Sequence, residues 1–344
     1  MLFSSSIISG LVFTISVLLL QSLLPIAYYT LLERRVMAAV QRRKGPNAVG
    51  MWGVLQPLAD GLKVMVKEGV TPRFASEAFY FIAPILALVV AFVCWGMLPV
   101  GTSLPNFDSD SGLVIFLALS SISVYGLMIA GWSSYSKYAF MGALRSVAQM
   151  VSYEVILVLA LFPAILYTGS FSFLSIVEAQ ARCGWFLFSC LPAAMIFYVV
   201  VLAETNRTPF DLPEAEAELV SGFNVEYSSI MFAMFFLAEY GSMLVMSTLF
   251  SIVFLGGWAN GTFLFVLKIV FVAYSLVFVR SLLPRYRYDQ LMFLCWRTFL
   301  PLVLGFYIFT LGVCIYFNAA PYSVEELFFT YLADTRPAFR LYFL

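Results

Sequence analysis

From Ala78 to Val100 the chain carries no charged residue, and several other stretches of similar length are nearly free of charge. That feature decides the fold class. About 20 apolar residues at 1.5 Å rise cross about 30 Å of hydrocarbon, and in lipid each backbone group must be satisfied within its own segment, so helices are required. Eight such spans are expected, at 7–32, 78–100, 112–133, 147–169, 184–203, 228–256, 263–283 and 298–317. The 62% hydrophobic content lies well above the roughly 45–50% of soluble domains. The chain reads as an all-α polytopic membrane protein, one membrane-embedded domain over 1–344.

The first apolar run is too long for the core of a signal peptide and lacks a basic segment before it, so it reads as the first span. Pro25, Pro84, Pro163, Pro192 and Pro301 are expected to kink their helices, and Gly241 marks a candidate break in the sixth. Basic residues gather in the loops after spans one, three, five and seven. Elsewhere only Arg182, Arg336, Arg340 and, inside a span, Lys268 are basic. By the positive-inside rule those four loops share the inner face, and both termini lie outside.

The first inner loop, Glu33 to Glu77, has a helical period of its own. Trp52, Leu55, Leu58, Ala59, Leu62, Met65 and Val66 recur at three- and four-residue steps between Gln56, Asp60, Lys63 and Lys67. A helix along the membrane surface is expected there. The tail 318–344 mixes aromatic and charged residues and is expected to pack on the opposite surface.

Histidine is absent, and the five cysteines are scattered with no paired spacing. Metal and iron–sulfur sites lean on those ligands, so no metal site is expected, and any electron carrier must belong to another chain.

Charge is scarce, at 11% of residues, yet "AETNRTPFDLPEAEAELVSGFNVEY", residues 203–227, is rich in acids. Glu204, Arg207 and Asp211 stand three and four apart, so on a helix or tight turn Arg207 can sit between two carboxylates. Glu214, Glu216 and Glu218 follow with no base nearby. Like charges at that spacing repel and favour proton uptake. A solvated loop would be the ordinary reading. Against it, the acids continue inward through Glu226 at the mouth of the sixth span, through Glu239 about eleven residues into that span and so about 16 Å down at 1.5 Å per residue, and through Glu154 in the fourth span. An ionisable residue at such depth is usually functional, though a buried Glu bonded to a neighbouring helix is the plain structural alternative. The series reads as a proton path. Lys268, near the outer end of its span, is expected to snorkel.

The second constellation, "ERRVMAAVQRRKGPNAVG" at 33–50, is on spacing alone an orientation or lipid-headgroup device.

Taken with "LQPLADGLK", "GALRSVAQMVSYEV", "PRYRYDQLM" and "CWRTFLPL", these segments resemble, in order from about residue 30 to 305, the quinone-site membrane subunits of respiratory complex I, NADH:ubiquinone oxidoreductase. The resemblance implies eight membrane helices beside a peripheral electron-transfer arm, and ubiquinone as substrate. NADH, FMN and iron–sulfur clusters would be held by partner subunits, so that no catalytic residue lies within this chain alone. Implied partners are the peripheral quinone-site subunits, small neighbouring membrane subunits and lipids; no nucleic acid is implied. Carried over by position, the quinone-tunnel set is Arg34, Arg43, Asp60, Phe223, Arg285 and Arg287. The proton-coupling set is Glu154, Glu204, Arg207, Asp211, Glu214, Glu216, Glu218, Glu226 and Glu239. The chain departs from the family pattern at Ala38-Ala39-Val40 and at Met51, both in the first loop.

Two other classes fit parts of this pattern. A stand-alone proton antiporter would show inverted repeats with broken helices, and the sequence has none. The membrane chain of an ion-pumping hydrogenase shares the acidic helices without using quinone. Thirty-five phenylalanines with no histidine suit organellar codon bias, so the mitochondrial inner membrane is expected, with the bacterial cytoplasmic membrane as the alternative.

Overall fold

The computed structural model describes residues 2–101, 110–211 and 222–316, with side chains from Gln21 onward. The described residues are helical, joined by turns. In chain order the helices are α1 (Leu2–Val40), α2 (Gln56–Val66), α3 (Glu77–Met97), α4 (Gly112–Ser133), α5 (Lys137–Thr168), α6 (Phe173–Cys183), α7 (Leu191–Glu204), α8 (Ser229–Phe254), α9 (Thr262–Leu282) and α10 (Tyr288–Tyr316). Six of them, α3, α4, α5, α8, α9 and α10, are long and apolar enough to cross a membrane. The remaining two of the expected eight correspond in position to α1, with 39 residues, and to α7, apolar but only 14 residues long, so among the described residues six of the eight meet both length and composition.

Several helices outrun their apolar stretches. α1 continues past Leu32 through the basic residues to Val40, and α5 starts at Lys137 rather than 147, with the Ser136 hydroxyl accepting from Ala139 N–H at 3.2 Å. Hydropathy reports the bilayer, whereas a helix continues as long as its backbone bonds do. The fifth span is shorter than expected. Pro192 does not kink it but begins it, as suits a residue with no N–H to give. The residues expected to open it form a separate four-residue helix, Phe186–Ser189, and before that lies α6, which buries Phe173, Ile176, Val177 and Gln180. α8 is continuous through Gly241, where a Cβ would meet Ile26 at 3.4 Å. In α10, Leu294–Phe299 forms a π-helical turn just before Pro301. A proline there removes the N–H that Arg297 O would receive, and the ladder widens to compensate.

α2 lies where the periodicity put it, with Leu58, Leu62, Met65 and Val66 exposed. Its C-terminal end is tied to the start of α8: the Ser229 hydroxyl donates to Lys67 O at 2.6 Å. Lys268 does not snorkel. Its Nζ donates to the carbonyls of Leu255 and Gly257, at 2.6 and 3.0 Å, just beyond the end of α8.

α5 runs through the middle of the bundle, packed on α4, α7 and α10, while α8 packs on α3, α9 and α1. The main core joins Tyr153, Phe197, Phe254 and Phe265. A second cluster, Tyr80, Phe223, Tyr227 and Phe235, seats the segment that leads into α8. That segment approaches α5 closely at Gly142, where a Cβ would lie 2.8 Å from the Gly222 backbone. The tail 318–344 lies outside the described residues.

Candidate functional site: a buried ionic cluster and its cavity

Four charged side chains meet where α1, α8, α9 and the turn after α7 converge. Glu33 is 2% exposed. Its Oε1 pairs with Arg280 Nη1 from α9 and lies 3.4 Å from Arg207 Nη1, and its Oε2 accepts from the Tyr240 hydroxyl at 2.5 Å. Arg207 Nε stands 2.9 Å from Glu239 Oε1, an ion pair misaligned for a hydrogen bond. The guanidinium also lies over the Tyr240 ring, 4.7 Å from its centre. Tyr29, one helical turn before Glu33, meets Tyr240 edge-on at 5.8 Å and donates to Ala273 O. Two acids and two bases balance when both acids are ionised. Burying one unpaired ion costs several kcal/mol, so the four stand or fall together.

Asp211, 3% exposed, meets Arg285 Nη2 at 3.2 Å. Around that pair Phe210 stacks on Tyr286, and the Tyr286 N–H donates to Pro209 O at 3.0 Å. The turn 205–211 is thereby stitched to the segment before α10, with Thr205, Arg207, Phe210 and Asp211 all buried.

The expected placement of Arg207 between Glu204 and Asp211 needs correction. α7 ends at Glu204, and Asn206 adopts φ +49°, a left-handed turn open to Asn. Three- and four-residue spacing therefore no longer keeps side chains on one face, and Arg207 swings toward Glu33 and Glu239. Among the described residues Glu204 has no ion-pair partner, and its Oε2 is buried without a hydrogen-bond donor.

Glu204 instead faces a cavity of about 110 Å³, bounded by Ala87, Val90, Leu127, Met150, Phe223 and Phe235 and by the polar Ser120, Ser123, Asn206, Glu239 and Ser242. One water needs about 10–15 Å³ of such space and two to four polar partners, so the cavity suits a short chain of waters joining Glu239 to Glu204. Beyond Glu204, Glu154 on α5 lies close enough to interact with it electrostatically, and Glu154 Oε1 is held by the Ser121 hydroxyl.

Of the six positions of the first set, Arg34 and Asp60 meet, and the others have separate partners. Arg34 pairs with Asp60 at 2.6 Å, tying α1 to α2 at an exposed site. Arg43 Nε donates to Gln41 at 2.7 Å. Arg285 serves Asp211, and Arg287 pairs with its near neighbour Asp289, Arg287 and Asp289 both being well exposed. Phe223 is buried at the cavity wall. Of the second set, Glu239 and Arg207 join the cluster, Glu204 and Glu154 continue from it, and Glu226 is anchored through its backbone by the Tyr80 hydroxyl at 2.8 Å. Glu214, Glu216 and Glu218 lie outside the described residues.

Glu33, Tyr240 and Arg280 belong to the site but were not among the residues the sequence singled out. Glu33 opens a basic run and reads as part of it. The available signal was Tyr29 at i−4 on a helix that continues past the apolar stretch.

A bundle of apolar helices, six of them long enough to cross a membrane, encloses a neutralised ion cluster beside a mostly apolar cavity with a few polar side chains, the architecture of a polytopic membrane protein. The family model described as NADH dehydrogenase matches residues 13–311. The chain is 49% identical to NADH-ubiquinone oxidoreductase chain 1 of Chondrus crispus, over 91% of this chain and 99% of that one. It is 48% identical to an NADH-quinone oxidoreductase subunit of Rhodospirillum rubrum, over 86% and 91%, and 47% identical to NADH-ubiquinone oxidoreductase chain 1 of Arabidopsis thaliana, over 88% and 97%. The chain belongs to the NADH dehydrogenase family.

Proposed function

We propose that this chain is the membrane subunit of a proton-pumping NADH:ubiquinone oxidoreductase, forming part of a quinone tunnel and coupling quinone reduction to proton movement. The names and extent of its relatives support the coarser reading, a membrane subunit of NADH:quinone oxidoreductase. The observation that carries the finer one is the shared guanidinium of Arg207, held by Glu33 and Glu239 at the edge of a cavity that continues to Glu204.

Electrons arrive from partner subunits that hold NADH, FMN and iron–sulfur clusters, since a chain without histidine or paired cysteines offers no ordinary carrier site. Arg34, Arg43, Asp60, Phe223, Arg285 and Arg287 line or flank the quinone's approach. A quinone that has taken up electrons is negative, and at an effective dielectric near 20 two charges about 4 Å apart interact by about 4 kcal/mol. Such a charge draws on Arg280 and Arg207 and weakens their hold on Glu33 and Glu239. Glu239 then takes a proton, which passes through cavity water to Glu204 and on to Glu154. Glu214, Glu216, Glu218 and Glu226 supply protons from the inner face, and Asp211 fixes the turn that carries Arg207. The membrane is the mitochondrial inner membrane or its bacterial counterpart, with both termini on the outer side.

Glu239→Gln in the intact complex tests this. It keeps the side-chain shape, and quinone reduction and pumping should fall together while assembly persists. Full turnover and full pumping in an assembled Glu239→Gln complex would remove that residue from the path. Loss of pumping with no quinone dependence would favour the hydrogenase-like alternative.

A further inference from the structure

The α4 segment Ser120–Ser123 carries three hydroxyls with different duties. Ser120 and Ser123 donate into their own helix, to Leu117 O at 2.8 Å and Ser120 O at 2.6 Å, and both line the cavity. Ser121 faces the other way. Its Oγ lies 3.1 Å from Leu117 O and also bonds Glu154 Oε1. A hydroxyl has one proton to give and two lone pairs with which to accept. When Glu154 is ionised, Ser121 donates to it. When Glu154 is protonated, its O–H donates to Ser121 Oγ, and the serine proton turns to Leu117 O. Neither state leaves a donor facing nothing, which matters where no bulk water can repair the loss.

We propose that Ser121 is a positioning residue for the proton step: a hydroxyl that reverses its hydrogen-bond direction as Glu154 gains and loses a proton, keeping the carboxyl in one place throughout. The proposal rests on the role given to Glu154 above. The surroundings leave that task to Ser121. Glu204, at the end of α7, is near enough to Glu154 for the two carboxyls to interact. On the other side lies a groove of about 380 Å³ between α4 and α5, lined by Leu113, Leu117, Val158, Phe162 and Phe171, in which Ser121 and Glu154 are the hydrogen-bonding side chains. A carboxyl there has apolar neighbours and a like charge, and its one described hydrogen-bond partner is Ser121.

The intact complex in sealed vesicles, carrying Ser121→Ala, Ser121→Thr or Glu154→Gln, is assayed for NADH:quinone turnover across pH and for protons moved per electron pair. A hydrogen bond to an ionised group is about twice as strong as one between neutral groups, so losing the hydroxyl costs the carboxylate more than the acid. Ser121→Ala should therefore move the pH profile of coupled turnover to higher pH and slow turnover about fivefold or more at neutral pH, given that one order of magnitude matches about one lost charge-assisted bond. Ser121→Thr, which keeps the hydroxyl, should restore both. A silent Ser121→Ala beside a defective Glu154→Gln would overturn the Ser121 role alone. If Glu154→Gln pumped normally, the reading of Glu154 itself would fail. Should Ser121→Ala fail to assemble, Ser121→Cys replaces it. The weaker thiol donor should give the same shift in smaller degree, and an unshifted profile would count against the proposal.

Discussion

The Glu33–Arg207–Glu239–Arg280 cluster and the Arg287–Asp289 pair are both ion pairs between near neighbours in space, yet they belong to different physical regimes. In the first, Glu33 and Arg207 side chains are 2% and 6% exposed; in the second, the exposures are 78% and 74%. Water screens the exposed pair to a median of about 0–1 kcal/mol. The buried cluster gains little net stability from forming, because desolvation offsets attraction, but removing one member leaves a buried charge at a cost of about 3–5 kcal/mol. That asymmetry makes the cluster suited to transmitting a perturbation: any charge that competes for a member disturbs the rest.

The largest expected effect follows directly. Arg207→Met removes the guanidinium shared by Glu33 and Glu239 while keeping much of the volume, leaving two acids with Arg280 alone. Assembled complex should fall to a small fraction of the normal amount on native gels. Normal assembly with normal turnover would show that the cluster is no more demanding than a surface pair. Arg207→Lys should recover only part of the loss, since a compact ammonium cannot reach both acids as a planar fork does.

A middle case sharpens the contrast. Asp211 is buried, but its partner Arg285 is 44% exposed and can turn to water when the pair is broken. Asp211→Asn should cost about 1–2 kcal/mol, the range of a charged hydrogen bond, and loosen the turn 205–211 without dismantling the cluster. Limited proteolysis near the segment before α10 and a reduced turnover in an assembled complex are the expected readouts. An effect as large as that of Arg207→Met would place Asp211 inside the cluster rather than beside it.

Residues 154 and 239 were legible because a lone acid inside an apolar run has few innocent explanations, and the existence of most helices followed from the apolar runs themselves. Glu33 was not legible. Its partner Arg280 lies 247 positions away, and a single sequence carries no trace of so distant a pairing. Helix ends beyond the bilayer, as in α1 and α5, escaped because hydropathy stops at the interface while backbone bonding continues. The turn at Asn206 defeated the spacing rule because helical periodicity holds only while the helix does. Proline placement was half legible: Pro25, Pro84 and Pro163 sit inside helices as expected, but nothing local distinguished Pro192, which starts one.

The smallest expected effect tests the other end of the comparison and separates stability from function at the surface. Arg287→Ala breaks a pair whose members are two residues apart and mostly in water, so assembly and stability should be unchanged within the error of a thermal shift, consistent with about 0–1 kcal/mol for such pairs. Arg34→Ala breaks an exposed pair as well, with exposures of 49% and 37%, but Asp60 is on α2, so the loss frees one tie between α1 and the surface helix. If α2 merely rests on the membrane, the two variants should be indistinguishable. If α2 borders the quinone's approach, Arg34→Ala should raise the quinone KM about twofold to fivefold with assembly intact, the size expected for losing about 0.4–1 kcal/mol, whereas Arg287→Ala, whose pair ties no second element in place, should raise it less. Measuring both in one complex, with reduction of a water-soluble acceptor from NADH as control, distinguishes a weak ion pair that does nothing from one that holds a functional element in place.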